Sequence, residues 1–200
     1  MDTREKILHT ALTLFAQKGY HAASIREICK EVGIKESSLY YHFTTKRAIL
    51  DALRMRFIQL SEGLMDDMRQ AAAPISSLSR EVFLAVGEAY IRQYLLNDFI
   101  LSFLRILMIE QGDDAELRAL YREWFLERPL AFQTQLFALL IEKGVLQAAD
   151  SQMLAVAYYA PIFYHLQRHL MTPDAADSDF LREARRHFTH FWNTYRRKPI

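Results

Sequence analysis

Residues 24–43 read Ser-Ile-Arg-Glu-Ile-Cys-Lys-Glu-Val-Gly-Ile-Lys-Glu-Ser-Ser-Leu-Tyr-Tyr-His-Phe. The stretch predicts two short helices joined by a turn at Gly33, where the absence of a Cβ lets the backbone turn at little cost. Ser24 and Glu27 have the spacing of a capping box, which marks the start of the first helix. Apolar residues supply an inner face: Ile25, Ile28, Val32, Ile34, Leu39 and Phe43. This pattern is typical of a helix-turn-helix, whose second helix is presented to a DNA groove.

The rest of the chain also has helical periodicity. Apolar residues recur every three or four positions almost throughout, which predicts an all-α fold. A first helix is predicted from Asp2 to Lys18, with Gly19 as its stop. Thr45 is predicted to cap a long fourth helix that ends near Gln70. The remaining helices are predicted at roughly 78–96, 98–111, 113–143, 150–171 and 174–195, which gives about nine in all.

Four residues refine the later helices. Asp113 and Glu116 have capping-box spacing, and Asp150 is predicted to cap the helix that follows it. Pro129 and Pro161 fall inside predicted helices, where a proline removes a backbone hydrogen bond. We therefore expect a kink near each proline.

Composition places the chain among globular proteins with an uneven charge. Apolar residues make up 51% of the 200 residues, and the net charge is only +1. Residues 1–56 hold ten Lys or Arg and six Asp or Glu, so the first part is basic and the remainder mildly acidic. A basic module at one end fits the electrostatic footprint of a nucleic-acid-binding protein, although such a balance is also common on ordinary surfaces.

The sequence gives no sign of secretion or membrane insertion. The first residues are charged, without the apolar core of a signal peptide. The longest apolar run, residues 99–104, is far too short to span a bilayer. Cys29 is the single cysteine, so no intramolecular disulfide is possible, and packing as a small apolar side chain is favoured over redox sensing. We therefore expect a cytoplasmic protein without a membrane partner.

Residues 4–46 resemble the DNA-binding domain of the TetR family of bacterial transcription regulators, and the remainder is similar only in length and helical character. The matching residues are Arg4-Glu5-Lys6-Ile7-Leu8, Ala11, Leu14-Phe15, Lys18-Gly19-Tyr20, Ser24-Ile25, Ile28, Gly33, Leu39-Tyr40-Tyr41-His42-Phe43 and Lys46. The resemblance implies a three-helix head on a larger helical body. It divides the chain into a DNA-binding domain at 1–61 and an effector-binding and dimerisation domain at 62–200.

The resemblance also implies which side chains meet DNA. Hydroxyl groups and imidazoles donate to phosphate oxygens, and a lysine in the first turn of a helix lies where an anion is favoured. Two alternatives stay open: Tyr40 could pack into the core, and Lys46 could be a solvated charge. The predicted DNA-contacting residues are Ser24, Arg26, Lys35, Glu36, Ser37, Ser38, Tyr40, Tyr41, His42 and Lys46.

The entry to the second motif helix departs from the family pattern. Many members have Ser or Thr, then Lys, then Gly where this chain has Lys35, Glu36 and Ser37. A carboxylate near phosphate would be repelled, so Glu36 either complements the helix dipole or accepts a hydrogen bond from a cytosine amino group. Lys35 could take over the cationic role. The departure predicts an operator that differs from those of typical members.

The body is rich in aromatic residues and methionine, which favours a pocket for an apolar or aromatic effector, with ordinary core packing as the alternative. Predicted ligand-binding residues are Phe103, Arg105, Met108, Tyr121, Phe125, Phe132, Tyr159, Phe163 and His165. Glu110 and Gln133 are further candidates for polar anchors.

The last two predicted helices carry broad apolar stripes that suggest an isologous four-helix dimer interface. The predicted interface residues are Phe163, Leu166, Leu170, Leu181, Ala184, Phe188, Phe191 and Trp192. His165 and His169 have a metal-compatible spacing, but no third ligand is evident, so neither a metal nor another cofactor is expected.

We interpret the sequence as that of a DNA-binding transcription regulator. The first interpretation is a homodimeric repressor. It is expected to bind a pseudo-palindromic double-stranded operator and to be released by a small-molecule effector. An activator, or a regulator that needs a protein partner, is the first alternative. A helical enzyme is the second, but no nucleophile, phosphate loop or acid pair at a telling spacing supports one.

Overall fold

The computed structural model describes residues 2–71, 78–172 and 176–197. Over these ranges the chain is helical, with connecting turns and one isolated β-bridge between Leu146 and Arg196. The predicted all-α class is confirmed. The α-helices are α1 (Thr3–Lys18), α2 (Ile25–Val32), α3 (Glu36–His42), α4 (Lys46–Ala71), α5 (Arg80–Tyr90), α6 (Asp98–Glu110), α7 (Ala115–Arg122), α8 (Arg128–Glu142), α9 (Ser151–Met171) and α10 (Asp177–Tyr195).

Two π-helical segments extend these helices. Ile91–Leu95 continues α5, and Glu123–Glu127 joins α7 to α8 without a break. Counted as uninterrupted runs over the described ranges, the helices number nine, as predicted.

The distortion expected at Pro129 takes the form of this second π segment. Pro129 lies in the first turn of α8 and has no amide hydrogen to donate to the carbonyl of Phe125. That carbonyl instead accepts a hydrogen bond from the Tyr159 hydroxyl at 2.9 Å. Pro161 lies inside α9, which continues through it, and the kink expected there stays a prediction.

Most of the predicted helix caps are present. Asp2 accepts from the Glu5 amide at 2.8 Å, Thr45 accepts from the Ala48 amide at 3.0 Å, and Asp150 caps α9. The cap predicted at Asp113 is wrong by one residue.

Asp114 is the residue that caps α7. Its carboxylate accepts from the amides of Glu116 and Leu117 at 2.9 and 3.0 Å. Asp113 is used differently, because its amide closes the turn that ends α6 by donating to the Glu110 carbonyl at 3.1 Å. The predicted start of the last helix, at residue 174, lies outside the described residues.

The chain forms two compact units. The first comprises Met1–Gly63 and Asp98–Tyr121, and the second comprises Leu64–Asn97 and Arg122–Ile200. This division by packing places α6 with the N-terminal helices, whereas the predicted functional division at 1–61 and 62–200 stays a prediction.

The first unit is built on α1, which packs against α2, α3 and α6. Ile7, Phe15 and Leu39 are fully buried there. Phe57 of α4 stacks on Phe103 of α6 with ring centroids 4.8 Å apart. Burial of side chains of this size, worth about 1.5–3 kcal/mol each, makes α6 part of the same core as the motif.

The second unit is built on α9, which packs against α8 and α10, while α5 packs against α10. Phe137, Phe188 and Phe191 are buried in its aromatic core. Gly87 of α5 allows the closest approach, because a Cβ there would lie 2.6 Å from Cε2 of Phe188.

This packing corrects the predicted dimer interface. Six of its eight residues are buried within a single chain, since α10 turns its apolar face onto α5 and α9: Leu166, Leu181, Ala184, Phe188, Phe191 and Trp192. A second copy cannot cover surface that its own chain already covers. Phe163 and Leu170 are half-buried and lie beside the outward face of α9.

Candidate nucleic-acid interface

The helix-turn-helix predicted from residues 24–43 is present as α2, a turn and α3. Ser24 and Glu27 form the reciprocal capping box, with the Ser24 amide donating to Glu27 Oε2 at 2.8 Å. Gly33 adopts the left-handed conformation, with φ of 76°, and donates to the Cys29 carbonyl at 2.9 Å. The turn therefore needs a residue that tolerates positive φ.

Burial of the inner face leaves the other side of α3 in solvent. Ile28 and Leu39 are fully buried and Phe43 is 5% exposed. Tyr41 is 87% exposed and Tyr40 is 46% exposed, so neither tyrosine packs into the core. The alternative reading of Tyr40 as a core residue is therefore wrong.

The predicted DNA-contacting residues lie on and beside this exposed face. His42 and Lys46 are half-buried. The other eight are exposed: Ser24, Arg26, Lys35, Glu36, Ser37, Ser38, Tyr40 and Tyr41. Hydroxyl, imidazole and amino groups on this face are donors that suit phosphate oxygens.

Lys46 is held in place by the turn that follows α1. Its ammonium nitrogen lies 4.3 Å from the centroid of the Tyr20 ring and 3.4 Å from the His21 carbonyl oxygen. Desolvation lowers the pKa of Lys46, with Glu110 and Glu27 opposing that shift. A lysine oriented in this way is a fixed point charge at the start of α4, not a free surface residue.

Several basic residues of this unit are paired with carboxylates instead of facing outward. The Arg47 guanidinium lies 2.7 Å from Asp114 and 2.9 Å from Glu116, and Arg54 shares Glu116 at 3.0 Å. The positive charge left on the motif is that of exposed Arg26, Lys30 and Lys35. The charge count alone therefore overstated the basic surface.

Glu110, predicted as a polar anchor of an effector pocket, serves the motif instead. Its side chain is buried to 4% exposure, and Oε1 accepts from the Tyr20 amide at 2.6 Å. Oε2 lies 3.5 Å from His21 Nε2. The carboxylate at the end of α6 therefore holds the segment that joins α1 to α2, a link that no local sequence pattern signals.

The predicted effector residues are distributed over both compact units. Phe103, Arg105, Met108 and Tyr121 belong to the first unit, where Phe103 is fully buried and Arg105 is exposed. The remaining five belong to the second unit: Phe125, Phe132, Tyr159, Phe163 and His165.

One apolar pocket of the second unit includes a member of that predicted set. It lies among α5, α8 and α9, opens to solvent, and has an internal volume of about 60 Å³. Phe132 lines it, as does Gln133, which was predicted as a candidate polar anchor. Phe125 and Tyr159 lie in the core instead. The Tyr159 hydroxyl donates a hydrogen bond to the Phe125 carbonyl, which the amide of Pro129 cannot do. His165 lies beside Phe180, with ring centroids 6.4 Å apart.

Comparison with known proteins decides the family. The model of the bacterial regulatory proteins of the tetR family matches residues 7–53. A relative from Staphylococcus aureus strain Newman, IcaR, is the HTH-type negative transcriptional regulator of the icaADBC biofilm operon. It is 30% identical over 159 residues, which cover 74% of this chain and 86% of IcaR. The chain belongs to the TetR family.

Further TetR-type regulators and structures agree with this assignment. UidR, an HTH-type transcriptional regulator of Escherichia coli K12, is 35% identical over 91 residues, or 40% of this chain and 45% of UidR. A TetR-family structure from Mesorhizobium loti has a TM-score of 0.69 at 19% identity and covers 97% of this chain and 96% of its own. A regulator from Saccharomonospora viridis in complex with choline has a TM-score of 0.66 at 22% identity, with 98% of both chains covered. At these identities the structures show the fold alone.

As a TetR-family member the protein is a DNA-binding transcription regulator and not an enzyme. Among the described helices, none is long and apolar enough to cross a membrane. The described part of the chain also contains no cluster of three or more His, Cys, Asp or Glu side chains that could hold a metal ion.

Proposed function

We propose that this TetR-family protein is a homodimeric repressor that binds a pseudo-palindromic operator in the cytoplasm and is released by a small neutral effector. The observation that carries the proposal is the exposed, polar face of α3, with Tyr41 87% exposed beside the oriented Lys46. Such a face pairs donors for phosphate with side chains at the start of a recognition helix that reach base edges.

Repression is inferred from the relative that covers most of the chain. IcaR is a negative regulator, and it is similar to this chain beyond the DNA-binding part, over 159 residues.

Dimerisation is proposed through the outward face of α9. Met153, Val156, Tyr164 and Met171 are 64%, 41%, 63% and 72% exposed. Their spacing of three, eight and seven residues places them on one face of the helix, which exposes an apolar stripe. Packing two such stripes about a twofold axis would bury them, and a dimeric helix-turn-helix regulator binds half-sites about 34–36 Å apart.

Effector control follows from coupling between two sites. A ligand that binds better to a form unable to span both half-sites weakens operator binding, and operator DNA weakens ligand binding by the same factor. The effect of the effector can therefore be measured either as weaker operator binding in the presence of ligand or as weaker ligand binding in the presence of operator DNA.

Selection of binding sites from a random double-stranded DNA pool tests the proposal. We expect a consensus with twofold symmetry, and binding to it that falls steeply as salt rises. Lys46→Ala should weaken binding to all sequences alike and lower the salt slope by about one ion, while Lys143→Ala, on the second unit, should leave both unchanged. Failure to enrich any sequence, together with salt-independent binding, would overturn the proposal.

A further inference from the structure

We propose that the pocket among α5, α8 and α9 binds a neutral, mainly apolar molecule that donates one hydrogen bond to Gln133. The inference rests on the proposed function, because it identifies the class of effector that such a regulator would sense. The internal space of about 60 Å³ is small and the pocket is open to solvent, so it holds the end of a ligand whose remainder lies in the open mouth.

The wall of the pocket is rigid and apolar. Phe132, Phe137 and Tyr158 line it, together with Gly87 of α5. Phe137 and Tyr158 lie edge to face at 5.4 Å, and Gly87 is already in the closest packing with α10, so the wall is fixed by its surroundings. A flat ring or a short aliphatic end would gain contact area there without reordering the wall.

Gln133 supplies a polar group that lacks a partner, and the Tyr90 hydroxyl, which also lines the pocket, is likewise buried without a hydrogen bond. Gln133 lines the pocket and is only 6% exposed, and its side-chain oxygen is buried without a hydrogen-bond partner. An unsatisfied buried acceptor costs about 1–3 kcal/mol, and a ligand donor relieves that cost. A site of this kind discriminates strongly against an analogue of the same shape that lacks the donor.

The pocket also selects against charge. The side chains that line it are uncharged. Burial raises the pKa of Tyr158 and of Tyr90, another lining residue, so both phenols stay neutral. An ionised ligand group would be desolvated here with no opposite charge to pair with, which is strongly unfavourable.

Matched aromatic probes separate these statements. Phenol offers a donor, fluorobenzene has nearly the same shape without one, benzaldehyde offers only an acceptor, and benzoate is charged. We expect calorimetric titration of the full-length dimer to give phenol about 10-fold tighter binding than fluorobenzene and benzaldehyde, with benzoate weakest. Gln133→Met keeps the length of the side chain but removes the amide, so it should abolish the preference for phenol while fluorobenzene binds at least as well.

Gln135→Met, an exposed position on the same helix, is the matched control and should leave all four affinities unchanged. Equal affinities for phenol and fluorobenzene, a preference for benzaldehyde, or an unchanged preference in Gln133→Met would overturn the proposal. The same holds if no probe binds, as expected if ordered water satisfies Gln133. DNA binding is measured separately, so intact site-specific binding beside a failed probe series would reject the pocket and leave the regulator function standing.

Discussion

The carboxylate of Glu110 accepts a hydrogen bond from the backbone amide of Tyr20 at 2.6 Å, across 90 residues of sequence. Glu110 ends α6, and Tyr20 lies in the segment between α1 and the helix-turn-helix. The ammonium group of Lys46 in turn lies over the ring of Tyr20 in a cation–π contact. The position of a proposed phosphate contact therefore depends on a residue far outside the motif.

We expect Glu110→Ala to lower the free energy of unfolding by about 1–3 kcal/mol, because it leaves a part-buried amide without its acceptor. Glu110→Gln keeps an acceptor of similar size and should cost less. Urea denaturation of the three proteins measures the difference. Glu142→Ala, at an exposed carboxylate on α8, is the control and should change stability little. Equal stability of Glu110→Ala and the parent protein would show that the hydrogen bond between Tyr20 and Glu110 contributes nothing to the free energy of unfolding.

Gly19→Ala tests the same link from the other side. Gly19 has φ of +87°, and a Cβ there would lie 2.8 Å from Glu110 Oε1. Strain and collision act together, so we expect a loss of at least about 1–2 kcal/mol. Gly112→Ala adds a Cβ with nothing within 4 Å and should be close to neutral. Thermal melting of both variants provides the comparison, and similar melting temperatures would contradict the prediction.

Glu27 gives the protein a pH-dependent contribution to stability. Its hydrogen bonds with Lys18 and Ser24 lower the pKa of the carboxyl from its ordinary value of 4.5 to about 2. A lowered pKa in the folded state means that the contribution is present above pH 4.5 and is lost as the pH falls toward 2.

Unfolding free energies of the parent protein and Glu27→Gln should therefore converge as the pH is lowered through that window. Glu31→Gln, at an exposed carboxylate of the same helix, should run parallel to the parent protein. A constant gap between Glu27→Gln and the parent from pH 5 to pH 3 would exclude the linkage.

The sequence was sufficient for the local structure and insufficient for packing between distant elements. The Ser24 capping box, the Gly33 turn and the exposed α3 follow from short-range rules, because capping and positive φ depend on neighbouring residues. The same rules failed to identify which face of α10 turns inward, since both an intrachain core and a dimer interface produce an apolar stripe.

The site shows the same limit. Arg26 and Lys35 are exposed as expected, but Arg47 is committed to Asp114 and Glu116, which are more than sixty residues away in sequence. Gln133 was recognisable as a polar residue in an apolar helix. Only the folded chain shows that its side-chain oxygen is buried without a hydrogen-bond partner. Long-range pairings of this kind carry no periodic signal.

Tyr164→Glu should break the proposed dimer by placing a charge in the apolar stripe of α9. Tyr164 is 63% exposed in the single chain, so the substitution should leave the fold intact. We expect the dimer dissociation constant, measured by sedimentation equilibrium, to rise about 10-fold or more. Gln135→Glu, an exposed residue of α8, should dimerise normally. A normal dimer in Tyr164→Glu would show that the interface lies elsewhere. Phe188→Glu should unfold the chain and not merely separate the dimer, because Phe188 is fully buried.

Glu36 is the exposed residue that opens α3, and it is one of the three residues predicted to depart from the family pattern. First-turn residues of a recognition helix reach base edges, and a carboxylate is repelled by phosphate, so a Glu36 that touches DNA should accept from a cytosine amino group. Glu36→Ala should then relax preference at one base pair of each half-site by about 1–3 kcal/mol, while affinity for random DNA holds steady or rises. If Glu36 only complements the dipole of α3, the same variant keeps its consensus and melts slightly lower. Site selection from a random pool with both proteins, alongside Glu31→Ala as an exposed acidic control on α2, separates the two roles.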